Sequence, residues 1–394
     1  MIYRDTKGAP LTSTEIDSNF RESAMWNTFV TPEMYGAMHD GSNDAPAIQA
    51  AISSGAREVR LKPGVAYTIT DTLYISSSIL LTSSNMFATT INYVGNGTAI
   101  SIDNTSSMAG IVLENFTLAR SGTLITGDEI ASIGIVANHM TRGCRVSNCK
   151  IYNFGTGITL NNSWYSKYYC NSFEGNYVGM IIGTNSNNVT VQDNVFDGSK
   201  SMHLHITSAG GQVYQILITG NAFEACLGSC YLEIEAIGTT IDANYFEGYL
   251  GTLPVNCNYI WLSSAGTLNT TISNNTFLAS DPSFDGAFIF ANYGNRLYIS
   301  GNYCNTPTSL GWFLAVSDPL GQFGIVTLSN NYNHTRGIAG GASHPHLRGD
   351  YVGSNTIDPS ITPQYKGEIW INTTSKKIWI ATGMASVADW TPIN

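Results

Sequence analysis

The sequence predicts an all-β solenoid, a stack of short strands wound in coils, and three observations predict it. First, a short pattern recurs nine times between residues 110 and 335: an apolar residue, two variable ones, usually Asn, one more, then usually Phe. The clearest copies are Val191-x-x-Asn194-x-Phe196, Ile218-x-x-Asn221-x-Phe223, Ile241-x-x-Asn244-x-Phe246 and Ile272-x-x-Asn275-x-Phe277. Weaker copies centre on Phe116, Cys149, Asn171, Asn302 and Asn331, and successive centres lie 33, 22, 23, 27, 23, 31, 27 and 29 residues apart. Such a period with unequal insertions marks coils that bury a core only by stacking. Second, charged residues make up only 12% of the chain, about half the usual share. Gly, Asn, Ser and Thr take their place, as in sheets hydrogen-bonded through amides and hydroxyls. Third, apolar and polar residues alternate in Ser201-Met202-His203-Leu204-His205-Ile206 and in Tyr231-Leu232-Glu233-Ile234-Glu235, the period of a strand. That alternation predicts Leu204, Ile206, Leu232 and Ile234 inside, with the His and Glu residues outside.

The elements follow in order. Residues 1–30 form a small head, with Thr12-x-x-Glu15 as a capping box opening a helix through about Ser23. The solenoid is expected over 31–342. Asp44 is placed to cap a helix whose Ile48, Ala51 and Ile52 share one face. A helix there covers the open first coil, as a solenoid end requires. Glu58-Val59-Arg60-Leu61-Lys62 reads as a strand, with Pro63-Gly64 as its turn. Residues 343–363, with Pro345, Pro359 and Pro363, read as a linker. A C-terminal β module, 364–394, holds two strands around Trp370 and Trp379, which can pair across a hairpin. An isolated hairpin is marginal in water, so this module is expected to pack against other chains.

A net charge of −10 without a Lys/Arg cluster argues against a nucleic-acid partner. No stretch approaches the length of an apolar membrane span, and the N-terminus carries no apolar signal region, so the expected chain is soluble, without membrane insertion and made in the cytoplasm. The seven cysteines lack paired metal-ligand spacing and read as reduced thiols packed in the core, Cys149 at a repeat centre. Neither Cys226-x-x-x-Cys230 nor His344-Pro345-His346 is read as a metal site, and no cofactor is expected.

At this point the residues resemble a known family. Thr31-Pro32-Glu33-Met34-Tyr35-Gly36-Ala37, with His39-Asp40-Gly41-Ser42-Asn43-Asp44-Ala45-Pro46-Ala47-Ile48-Gln49-Ala50-Ala51-Ile52, resembles the opening of pectate-lyase-like right-handed parallel β-helices, above all bacteriophage tailspikes. Asp5-Thr6-Lys7-Gly8-Ala9-Pro10-Leu11-Thr12, with Glu15, Asp17, Asn19 and Phe20, is similar to segments that seat tail proteins on the virion. Lys366-Gly367-Glu368-Ile369-Trp370-Ile371-Asn372 through Asp389-Trp390 resembles C-terminal tail-fibre modules. The resemblance implies a homotrimer in the phage tail, assembled in the host cytoplasm. It implies contacts to other virion proteins through the head and to a bacterial surface polysaccharide, which many members depolymerise and some only bind. It fixes no catalytic position.

Catalytic candidates come from the residues themselves. The repeated Asn predicts a ladder of stacked side-chain amides, because Asn carries both donor and acceptor and tolerates unusual backbone angles. Phe196, Phe223, Phe246 and Phe277 predict a core stack. Just after the Phe positions stand Glu174, Asp197, Glu224 and Glu247, in four consecutive coils. Carboxylates a few ångströms apart are the tools of glycoside hydrolysis; equally, Glu-Gly and Asp-Gly turn a chain outward. The preferred catalytic set is Glu233, Glu235, His203 and His205, with hydrolysis favoured over elimination. Trp261, one coil further, and the Trp164–Tyr165 pair are candidate sugar-stacking rings. The alternative is an exposed strand face, or a spike that binds its receptor without cutting it.

Overall fold

The computed structural model describes residues 10–16, 29–102, 108–122, 131–248, 257–264, 267–280, 284–292, 296–305, 312–316, 326–333, 338–339, 347–355, 359, 369–372, 375, 377–383 and 385–393. The repeat folds as predicted, into coils of three short strands stacked in parallel register. One coil serves for all: Thr190–Gln192 on the first face, Val195–Asp197 on the second, Met202–Ile206 on the third. Each pairs with its counterpart one coil later, as in Val191↔Ile218, Phe196↔Phe223 and Leu204↔Leu232. The third face alone is an 11-stranded sheet.

The first and second faces meet at the Asn ladder. Asn171, Asn194, Asn221, Asn244, Asn275 and Asn302 each donate Nδ2 to the Oδ1 of the next Asn at 2.9–3.0 Å, ending on Asn331. The same Nδ2 reaches a main-chain carbonyl of the coil before, as from Asn194 to Tyr168 and from Asn221 to Val191. The unusual backbone angles lie one residue earlier than the ladder: Asn148, Cys170, Asp193, Gly220, Ala243, Asn274 and Gly301 hold φ between 50° and 67°. Asn is thus selected for its amide, and its neighbour absorbs the left-handed turn. Beside the ladder, Phe173, Phe196, Phe223, Phe246 and Phe277 stack with centroids 4.5–5.0 Å apart.

A second interior column changes character along the axis. At the corner entering the third face stand Gly134, Gly157 and Gly179, then His203, Tyr231, Tyr259, Phe288 and Phe313. A Cβ on Gly134, Gly157 or Gly179 would come within 2.4–2.5 Å of the next coil's carbonyl oxygen. From His203 onward the interior is filled by rings instead, all fully buried.

The helix Ala45–Ile52 covers the first coil with Ile48, Ala51 and Ile52 buried. Asp44 does not cap it through its side chain. Its carboxylate accepts from the Met38 and Thr68 amides, and Asn43 Oδ1 takes the Ala45 N–H. The Thr12–Glu15 capping box is formed, with a helical turn over 13–16; the rest of that helix lies outside the described residues.

Inside the stretch read as a linker, Leu347–Asn355 is a strand paired with Val326–Asn333 and Ile369–Asn372. The prolines flank this strand and so do not break it. Ile369–Asn372 and Ile378–Ala381 form the expected antiparallel pair, with Trp370 opposite Trp379 in register. A third strand, Trp390–Pro392, adds to it. Six of the cysteines are buried and Cys170 is half-buried, none in a disulfide.

Candidate functional site

Two outward columns carry the chemistry, on different faces. On the second face, Tyr152, Glu174, Asp197, Glu224 and Glu247 occupy directly facing positions in five consecutive coils. Strand spacing sets neighbours about 4.8 Å apart, where like charges repel by roughly 1–3 kcal/mol. Each acid answers differently. Glu174 is neutralised by Lys150 Nζ at 2.5 Å and bonded by the Ser172 hydroxyl. Partial burial, then the charge of Glu174, raises the pKa of Asp197. Partial burial, then the charges of Glu247 and Asp197, raises that of Glu224. Glu247 accepts from the Tyr245 hydroxyl at 2.7 Å, and that phenol is pushed up to about 12 by desolvation and this bond. The left-handed turn after the column belongs to its neighbours Gly175, Gly198 and Ala225, so the turn itself does not demand an acid.

Tyr152, 42% exposed, continues the column as a ring platform, with Lys150 Nζ 5.6 Å from its centre. The sequence reading missed it. The signal was available: Tyr152 stands three residues after the weak repeat centre Cys149, as Glu174 does after Asn171.

On the third face, His205 pairs in register with Glu233, and Glu233 with Trp261. The His205 Nε2 lies 3.7 Å from Glu233 Oε2. Glu235, just past its strand, joins them: one donor atom from each of the three residues falls within 4.8 Å of the others. Glu235 Oε2 accepts from the Ser208 amide and hydroxyl at 2.9 and 3.1 Å, with Thr207 Oγ1 at 3.4 Å.

His203 is not part of this cluster. It is fully buried, its Nδ1 2.8 Å from Ser199 Oγ, among Phe196, Phe223 and Tyr231. The alternation that put it outside fails because the corner turns two successive residues, His203 and Leu204, inward. Desolvation lowers its pKa to about 3, so it is neutral. Trp164 is half-buried in a bridge with Asn187, and Tyr165 is 49% exposed beneath the Arg142 guanidinium, 5.0 Å from its ring centre. Tyr165, Arg145, Lys167, Tyr169 and Gln192 line a cleft of about 670 Å³.

Residues 98–277 match the family model of the right handed beta helix region. The fold is a right-handed parallel β-helix. No curated protein sequence matches the chain. Among solved structures, the ORF18 protein of Geobacillus virus E2 is similar at 15% identity, with a TM-score of 0.57 over 81% of this chain and 63% of that one. The surface adhesin PfbA of Streptococcus pneumoniae gives 13% identity and 0.60, over 93% of this chain and 98% of its own. The Dettilon tailspike protein gives 16% and 0.57, over 91% of this chain and 77% of its own. At these identities the likeness is one of right-handed β-helix architecture. The chain spans less than two thirds of the viral ORF18 protein.

Proposed function

We propose that this β-helix is a phage tailspike that binds a bacterial surface polysaccharide and hydrolyses it on the second face. In this reading it works as a homotrimer, seated on the virion by its head and assembled in the host cytoplasm. The resemblance of both ends to tail proteins supports the virion role, as does the likeness to a tailspike structure.

The observation that carries the hydrolytic reading is the register that sets Glu224 and Glu247 on facing positions of adjacent coils. Glu224, held protonated to higher pH by burial and by its charged neighbours, is the general acid. Glu247, oriented by the Tyr245 hydroxyl, is the nucleophile. Adjacent coils place the two about 5 Å apart, the separation of retaining rather than inverting glycosidases. Glu224 protonates the glycosidic oxygen as Glu247 attacks the anomeric carbon and the leaving sugar departs. Water then attacks the glycosyl ester, giving its proton to Glu224 and freeing Glu247. Tyr152 offers an adjoining sugar a stacking face. Glu233 and Glu235 fit this role less well, because the Glu235 carboxylate is already engaged by Ser208 and Thr207.

The second reading is binding without cleavage. The cleft at Tyr165, Lys167 and Tyr169 favours it, since sugar rings stack on aromatics wherever they are presented.

The test incubates the wild-type protein and Glu224→Gln with a panel of capsular and lipopolysaccharide glycans, reading products by mass spectrometry and anomeric NMR. Oligosaccharides with retained configuration, reduced about 10²–10⁴-fold in the variant, are the expected result. A 4,5-unsaturated terminal sugar would mean elimination, full activity in Glu224→Gln would remove the acid column from the chemistry, and intact bound glycan would establish the binding reading.

A further inference from the structure

The third-face cluster has a use that glycan hydrolysis on the second face leaves open. We propose that His205, Glu233 and Glu235 form a binding site for a divalent transition ion of the zinc type, clamping two neighbouring coils together. His205 and Glu233 are register partners, and Glu235 lies two residues beyond Glu233, just past the end of that strand.

Their donor atoms already lie within 4.8 Å of one another, and His205 Nε2 and Glu233 Oε2 within 3.7 Å. A tetrahedral ion with bonds of about 2.0–2.2 Å separates its ligand atoms by about 3.4 Å. Small side-chain rotations therefore bring all three onto one centre.

Three further features fit an ion. First, Glu235 is pre-oriented from behind: Ser208 holds Oε2 through its amide and hydroxyl, while Oε1 has only the long 3.4 Å bond from Ser263 Oγ. That is the outer-shell support that fixes a ligating carboxylate. Second, two carboxylates sit together, and among the described residues no lysine or arginine pairs with either. A cation would complete this charge. Third, Trp261, the register partner of Glu233, has a buried indole N–H without an acceptor. A water carried by the ion would supply one.

An imidazole nitrogen beside two carboxylates selects zinc or manganese over magnesium or calcium, which prefer oxygen donors throughout. Three protein ligands leave a position open toward solvent. The His205 and Glu233 side chains, 25% and 14% exposed, leave the site reachable. The strand alternation already groups these three residues although His205 and Glu233 lie 28 residues apart, and the structure adds that their donor atoms converge.

The test uses untagged full-length protein stripped with chelator, then titrated with zinc, manganese, calcium and magnesium chlorides by calorimetry and thermal melting. The expected result is one zinc per chain, a melting temperature that rises with zinc, manganese weaker, and magnesium and calcium without effect. Cobalt(II) should give the visible absorption of a tetrahedral site. His205→Ala and Glu233→Gln should each weaken zinc binding at least tenfold while melting like the wild type in chelator. Three results would each overturn the proposal: no stoichiometric zinc, zinc binding undiminished in both variants, or a preference for calcium.

Discussion

The amide column Asn171–Asn194–Asn221–Asn244 and the carboxylate column Glu174–Asp197–Glu224–Glu247 occupy the same four coils, three residues apart, yet stacking does opposite things to them. An amide carries donor and acceptor, so identical neighbours satisfy one another at 2.9–3.0 Å. A charged carboxylate only accepts, so identical neighbours repel, and the column answers with the Lys150 ion pair, the Tyr245 hydrogen bond and a raised pKa at Glu224. The first column stabilises the stack and leaves nothing over for chemistry. The second opposes the stack, and at Asp197 and Glu224 that opposition raises the carboxyl pKa. One repeat can thus build a scaffold and a reactive strip from side chains of nearly equal size.

The sharpest way to break the contrast is to put a carboxylate into the ladder. Asn221→Asp keeps an acceptor for Asn194 but turns an oxygen toward Asn244 Oδ1 and the carbonyls of Val191 and Thr219. A loss of about 3–5 kcal/mol is expected in chemical denaturation, from several buried unsatisfied groups.

Next in size is His203→Phe, which gives the interior column the residue type it has at Phe288. The neutral, buried His203 binds fewer protons folded than unfolded, so wild-type stability should fall as pH drops from 6.5 toward about 3, by up to ~1.4 kcal/mol per pH unit. Melting curves of the variant should lack that part of the acid loss.

Tyr152→Ala should weaken glycan binding by about 1 kcal/mol without altering the melting temperature, consistent with one stacked ring; glycan-array titration reads it.

The smallest effect is the converse of the first. Glu224→Gln removes a repelling charge from an exposed column, and its carboxyl pKa is raised in the folded state. The contribution of Glu224 to stability should therefore rise as pH falls from neutral toward 4.5, opposite in sign to that of His203, and the stability of the wild type relative to the variant should rise over that range. A difference that instead moves in favour of the variant as pH falls would mean that the charged form of Glu224 is stabilised, not strained, by its neighbours.

Much of this was legible because the repeat places whatever follows it. Once Asn194, Asn221 and Asn244 align, Phe196 and Asp197, Phe223 and Glu224, and Phe246 and Glu247 align without further information. The same logic placed His205, Glu233 and Trp261 in one column. It failed where the local period changes. His203 sits at a corner where two successive residues turn inward, a feature of backbone path that strand alternation does not encode. Asp44 has a capping residue's position, but competing amides of Met38 and Thr68 take its oxygens.

The passage from Gly179 to His203 at the interior corner also limits how such a shaft can change length. The coils of Gly134, Gly157 and Gly179 need a hydrogen atom where the coils from His203 onward carry an aromatic ring. Coils are therefore dialects rather than copies. A duplication within either group inherits a neighbour that fits, whereas a coil moved across the boundary meets a collision or a void. Growth or shrinkage by recombination is then confined to blocks on either side of residue 200, and the acid column, which runs from Glu174 to Glu247, straddles the seam.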